Sequence, residues 1–225
     1  QQDDGNWLAL VRTANALQVG RKIDMVSGKF SAVVKNRTER GRVILQFDCE
    51  DVASVLETEG VLPLPPYINR QANANDILRY QTVFAKTSGA IAAPTAGLHF
   101  THELLDKINQ IGTNIAPLLL HVGPGTFEPV RSMNVSDHTI DEEYYEVSSN
   151  SAEIVNRARA SGGRAIAVGT TVVRAVESTS IDNGTLAPSR GFTDAFIFPP
   201  YNFKCVDILV TNFHLPKSTL LMLVA

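Results

Sequence analysis

Three places in this sequence set small hydroxyls or glycines and one longer polar group directly after a run of core-type residues. "LLLHVGPGT" leads into His121, Gly123, Gly125 and Thr126, and "AIAVGTTVVR" into Gly169, Thr170 and Thr171, then Arg174. "DILVTNFHLPKST" leads into Thr211, Asn212 and His214, followed by Lys217, Ser218 and Thr219. Glycine lets a backbone come close to a ligand, and the free amides of a helix start attract a carboxylate or phosphate. Imidazole is the side chain whose ordinary pKa suits proton transfer near neutral pH. Each pattern alone also fits a tight turn, a helix cap or a satisfied core histidine. Three of them, each expected at a strand end, point to one ligand site beyond the carboxyl ends of an α/β sheet, where such folds bind.

The remaining polar clusters are less pointed. In "APTAGLHFTHELL", His99 lies between Leu98 and Phe100, while His102 is expected in the exposed first turn of a helix. "DHTIDEEYYEV" is an acidic loop or strand in which His138 and Glu143 either act or are simply solvated. No HExxH, HxH or carboxylate cluster has metal-ligand spacing, so no metal is expected. Neither Gly-x-Ser-x-Gly nor a Walker loop is present, which argues against a serine hydrolase or a P-loop enzyme.

The elements that must carry these groups fall into two zones. Residues 6 to 48 read as short β-branched strands ("NWLALVRT", "KIDMVS", "KFSAVVKN", "RVILQFD") between Gly-, Asn- and Arg-rich turns, which suggests a small barrel or sandwich. "DVASVLETEG" reads as a helix capped by Asp51 and stopped by Gly60, and the proline-rich "VLPLPPYINR" as a linker. Beyond it the period changes. "THELLDKINQIG" is expected as a helix between Thr101 and Gly112, and "NSAEIVNRARASGG" as a helix capped by Asn150 with Glu153 completing a capping box. "NIAPLLLHV", "RAIAVG", "DAFIF" and "VDILVTNF" read as strands, with "TTVVRAVESTS" as a helix. The alternation predicts an α/β domain around a mostly parallel sheet. The expected division is residues 1–60 as a small all-β barrel domain and 61–225 as the α/β domain, both partial, because the chain reads as a piece cut at both ends.

With 225 residues, 44% hydrophobic and 19% charged, the chain has ordinary globular composition. Cys49 and Cys205 have neither metal nor disulfide-framework spacing, which fits a reducing cytoplasm. No apolar run approaches the roughly 20 residues of a membrane helix. Charge is uneven: from Arg12 to Arg42 eight basic residues face two acidic ones, in a chain whose net charge is −3. Arg21, Lys22, Lys35, Arg37, Arg40 and Arg42 therefore either meet an anionic polymer or form a solvated sheet face.

Taken together, "RYQTVFA", "GAIAAPTAGLHFT", "LLLHVGPGTFEPVR", "EEYYEV", "RAIAVGTTVVRAVES" and "GFTDAFIFPPYNFKCVDILVTNFHLPKSTLLMLV" resemble the S-adenosylmethionine:tRNA ribosyltransferase-isomerase family of queuosine biosynthesis. The resemblance runs nearly end to end and is strongest from residue 62 onward. It implies a two-domain enzyme, an α/β catalytic domain interrupted by a small β-barrel, working in the cytoplasm on tRNA. Such an enzyme moves the ribosyl part of S-adenosylmethionine onto the aminomethyl group of a 7-deazaguanine at the tRNA wobble position. It isomerises that ribose to give epoxyqueuosine, releasing adenine and methionine, with S-adenosylmethionine as co-substrate and no other cofactor. On this reading His99, His121 and His214 include the proton-transfer groups. Thr126, Thr170, Thr171 and Asn212 hold ribose and methionine polar atoms, while Arg131, Arg174 and Lys217 meet a carboxylate or phosphate. Asp141, Pro124 and Pro200 depart from the family pattern, which implies His, Leu and Gly there. The competing reading is a catalytically impaired tRNA-binding relative of the same fold.

Overall fold

The structure is a computed structural model that describes residues 5–11, 17–38, 41–65, 68–123, 130 and 132–225. It divides into two compact units, residues 1–61 and 62–225. Among the described residues no helix is long and apolar enough to cross a membrane.

In the first unit, β1 (Trp7–Leu10), β2 (Lys22–Asp24), β3 (Ser31–Arg37) and β4 (Arg42–Phe47) pair antiparallel in the order β1-β4-β3-β2. Alternation decides what is buried: Ala32 and Val34 on β3 stand opposite Phe47 and Leu45 on β4, and with Val43 they form the core face. Burying a valine of this kind stabilises by about 1.5–3 kcal/mol. A bulge between Val34 and Asn36 leaves Lys35 as the extra residue. Among the described residues the sheet is open, with β1 and β2 as unpaired edges, so the pairing does not confirm the expected small barrel. Helix α1 (Val52–Glu59) follows, its Asp51 side chain accepting from Ser54 N at 3.0 Å. Gly60 ends it in extended backbone, φ −68° and ψ 151°.

The second unit is mixed α/β, and here the expected mostly parallel sheet gives way to two separate sheets. β5 (Leu119–His121), β6 (Glu143–Val147) and β8 (Ser189–Thr193) pair antiparallel in the order β5-β6-β8. Only β7 (Ile166–Val168) and β9 (Ile208–Val210) pair in parallel among the described residues. The strand–helix alternation is real, but α4 (Ser149–Ala160) carries the chain from one sheet to the other and not to a parallel neighbour. Periodicity reports what each element is, whereas partner choice is a long-range property. "DAFIF" is irregular, and the strand lies just before it at Ser189–Thr193.

Helix ends follow local chemistry. Helix α2 (Ala74–Arg79) opens on a capping box between Asn73 and Asp76, and α3 (His102–Gln110) on Thr101, which accepts from Leu104 N. Helix α4 is capped by Ser148, not Asn150. The Ser148 hydroxyl accepts from Ser151 N at 3.1 Å, while the buried Ser151 hydroxyl donates to Pro117 O at 2.6 Å. Glu153, expected in a capping box, pairs instead with Arg157 one turn on. Helix α5 (Thr170–Thr179) places Val173, fully buried, against Ala167, Ile197 and Leu223. Helix α6 (Thr219–Val224) starts at Ser218, which accepts from Leu221 N.

Candidate active site

β7 and β9 run side by side, and their carboxyl ends are tied together by Gly169 N donating to Val210 O at 2.9 Å. Immediately past those ends lie Thr170–Thr171 and Thr211–Asn212. A cavity of about 520 Å³ opens there. Its polar lining comes from Thr170, Thr171, Thr211, Asn212, His214, Ser218 and Thr95. Its apolar wall includes Ala93, Ala96, Leu120, Val122, Val168 and Leu220. An apolar cavity with a few convergent polar groups at parallel strand ends is where a small ligand is expected.

The first turn of α5 supplies the strongest electrostatic feature. Gly169 stands at the N-cap with φ 99°, a conformation that L side chains rarely adopt, and no side chain caps the helix. The first-turn amides are thus left for water or a ligand, and the helix dipole favours an anion there. Thr170 and Thr171 are 6% and 7% exposed. Among the described residues neither hydroxyl has a hydrogen-bond partner, so both are available to a guest.

His214 forms the other polar pole. It is half-buried, and its Nε2 lies 3.0 Å from Thr211 Oγ1. Burial pushes its pKa below the ordinary histidine value of 6.5. The ring is therefore neutral, and able to accept a proton, at and somewhat below neutral pH.

Several residues expected at this site lie elsewhere. His121 is on β5 between Leu120 and Val122, and those two line the cavity, so strand alternation turns the imidazole to the opposite face. There it stacks on Tyr144 at 5.2 Å, and Tyr144 meets Phe192 edge-on at 5.5 Å. Its Nδ1 is buried with no hydrogen-bond partner among the described residues. The backbone of Gly89, φ 143°, lies so close to the ring that a Cβ there would fall 2.5 Å from His121 Cε1. His99 ends a short 3-10 turn, Thr95–His99, and is exposed; Thr95 and Ala96 reach the cavity and His99 does not. Lys217 is also exposed, with φ 62°, and outside the cavity lining, and its carbonyl accepts from Val130 N. Thr126 and Arg131 lie outside the described residues.

Arg174 is the clearest correction. It does not meet the cavity; it is 1% exposed and engaged on every side. Its Nη1 donates to Glu143 Oε2 at 2.5 Å, its Nε to Ala195 O at 2.8 Å, and its Nη2 to Thr193 O and Asp141 O at 3.2 Å each. Burial pulls its pKa down, while Glu143, Asp194 and Asp141 oppose that. Glu143, expected either to act or to be solvated, is instead buried and outside the cavity lining, and its other oxygen accepts from Gly123 N at 3.1 Å. Glu177, which no sequence pattern singles out, does similar work: it accepts from the amides of Lys204, Cys205 and Val206 at 2.7–3.0 Å. Thr211 is a further polar residue of the site, and its signal in the sequence is its place directly after an apolar strand and three residues before a histidine.

In the first unit Arg21, Lys22, Lys35 and Arg37 are exposed and Arg42 is half-buried; Arg40 lies outside the described residues. They do not share one face. Lys22 pairs across from Val33 and Arg42 from Leu10, on the face away from the core, whereas Arg37 stands opposite Val43. Among the described residues no group of three or more His, Cys, Asp or Glu is placed to hold a metal ion.

The chain matches the family described as queuosine biosynthesis protein over residues 1–225. It is 48% identical over 220 residues to the S-adenosylmethionine:tRNA ribosyltransferase-isomerase of Desulforamulus reducens, covering 97% of this chain and 64% of that one. To the enzyme of the same name from Halothermothrix orenii it is 49% identical over 223 residues, covering 99% and 65%. It thus spans slightly less than two thirds of the length of these curated relatives. A crystal structure of S-adenosylmethionine tRNA ribosyltransferase from Thermotoga maritima is 31% identical, covering 100% of this chain and 60% of that one, with a TM-score of 0.43.

Proposed function

This chain belongs to the queuosine biosynthesis protein family, and from that premise we propose that it is the larger part of an S-adenosylmethionine:tRNA ribosyltransferase-isomerase. The substrates on this reading are S-adenosylmethionine and a cytoplasmic tRNA carrying an aminomethyl 7-deazaguanine at the wobble position; no metal or further cofactor takes part.

One observation supports the reading most: a single cavity holds both an anion-attracting helix start and a neutral, half-buried imidazole. S-adenosylmethionine needs both. Its methionine carboxylate suits the amides and hydroxyls at Thr170 and Thr171. Its sulfonium acidifies the adjacent C–H, so a base active near pH 7 can begin the reaction, and His214 is that group. Asn212 is placed to hold ribose hydroxyls as the ring opens and negative charge develops on oxygen. The apolar wall keeps water from a reactive intermediate. Arg174 and Glu143 act outside this chemistry, by fixing the elements that frame it. In the first unit Lys22, Lys35, Arg21, Arg37 and Arg42 contribute phosphate contacts along the tRNA.

Incubating the full-length protein with S-adenosylmethionine and precursor-bearing tRNA tests the proposal by the appearance of free adenine. Binding of tRNA without any binding of S-adenosylmethionine would favour the impaired tRNA-binding relative instead.

A further inference from the structure

His214 sits in a loop, while Thr211 follows β9 directly, and β9 is fixed by its pairing with β7 and by the bond from Gly169 N to Val210 O. The 3.0 Å contact between Thr211 Oγ1 and His214 Nε2 therefore ties a loop side chain to the end of a paired strand. Both residues line the cavity. A hydroxyl both donates and accepts, so the contact alone allows either tautomer of the ring.

The chemistry favours one of the two. A histidine that works as a base passes through neutral and protonated states. If the threonine donated to Nε2, that nitrogen would be the basic one, and the hydroxyl would have to give up its place and turn from donor to acceptor on each proton transfer. If the threonine accepts from Nε2–H, the same bond holds in both states and Nδ1 becomes the free basic nitrogen. We propose that Thr211 is a positioning residue that locks His214 as its Nε2–H tautomer, making Nδ1 the atom that takes the proton. This rests on the reading of His214 as the base. An imidazolium N–H is a stronger donor than a neutral one, so an accepting threonine oxygen favours the protonated ring.

The test uses the full-length enzyme with 15N-labelled histidine, the His214 signals being assigned by their loss in His214→Ala. The wild-type ring shows the Nε2–H tautomer. Thr211→Val mixes the tautomers and lowers the titration midpoint by about 0.5–1 pH unit. It also lowers kcat about tenfold, with KM for S-adenosylmethionine changed less than about twofold. Thr211→Ser, which keeps the oxygen, restores all three. A wild-type ring protonated at Nδ1, or unchanged ring spectra in Thr211→Val, overturns the role of Thr211 alone. Full adenine release by His214→Ala overturns the base assignment underneath it, so the two failures are told apart.

Discussion

Helix α5 touches two polar regions that are treated in opposite ways. One turn in, Arg174 meets Glu143 and three backbone carbonyls, and every part of that guanidinium has a partner. At its first turn, Thr170 and Thr171 are also largely buried as residues, but their hydroxyls have no partner among the described residues and are not sealed in: they lie in the lining of the cavity. A buried polar group without a partner costs stability, so native structures keep few of them. The saturated cluster holds β6, β8 and α5 together. The unsaturated rim next door is left open to something that binds. Burial by itself distinguishes neither; the count of unmet hydrogen bonds does.

Five experiments break or sharpen this contrast. The largest effect belongs to the saturated cluster: Arg174→Met strands the Glu143 carboxylate, and we expect about 3–5 kcal/mol of destabilisation in denaturant unfolding. The double replacement Glu143→Leu/Arg174→Met should recover much of that loss; a single variant costing under about 1 kcal/mol would erase the distinction. At the open rim the signs invert. His214→Ala should lower the rate of adenine release by about 10²–10⁴-fold while shifting unfolding stability by less than about 1 kcal/mol.

The pH dependence of His214 follows from its lowered pKa. Below about pH 6.5 the unfolded chain binds a proton that the folded ring still refuses, so this residue's contribution to stability is complete above that value and fades as pH falls. The acid limb of kcat/KM should accordingly lie below 6.5, and His214→Ala should flatten the stability profile there. Next in size, Thr171→Val should weaken S-adenosylmethionine binding by about tenfold in calorimetry, without loss of stability, since no internal bond is broken. Smallest is the effect of the basic strands. Lys22→Ala and Lys35→Ala should each reduce the slope of log Kd for tRNA against log salt by about one contact, leaving S-adenosylmethionine affinity alone.

Much of the local structure was legible in the order of residues. The strands of the first unit, the helices capped by Asp51 and Thr101, and the helix opening at Thr170 are all written in alternation, 3.6-residue spacing and cap chemistry, which act within a few positions. The family was legible too, since motif order survives in the chain itself, and so was the grouping of Thr170, Thr171, Asn212 and His214 at strand ends.

What tertiary structure alone decided was the partner of each strand and the side to which each polar residue turns. The parallel pairing of β7 with β9 brings together segments about 40 residues apart, and nothing local encodes it. His121 was lost to the cavity by one step of alternation: Leu120 and Val122 took the inward positions, so the imidazole had to face Tyr144. Arg174 looked like an anion receptor until Glu143, 31 residues away, occupied it. Residue types set what chemistry is possible within a few positions of chain. Which groups are satisfied by the protein, and which are left for a ligand, depends on contacts between distant segments, and those exist only once the chain has folded.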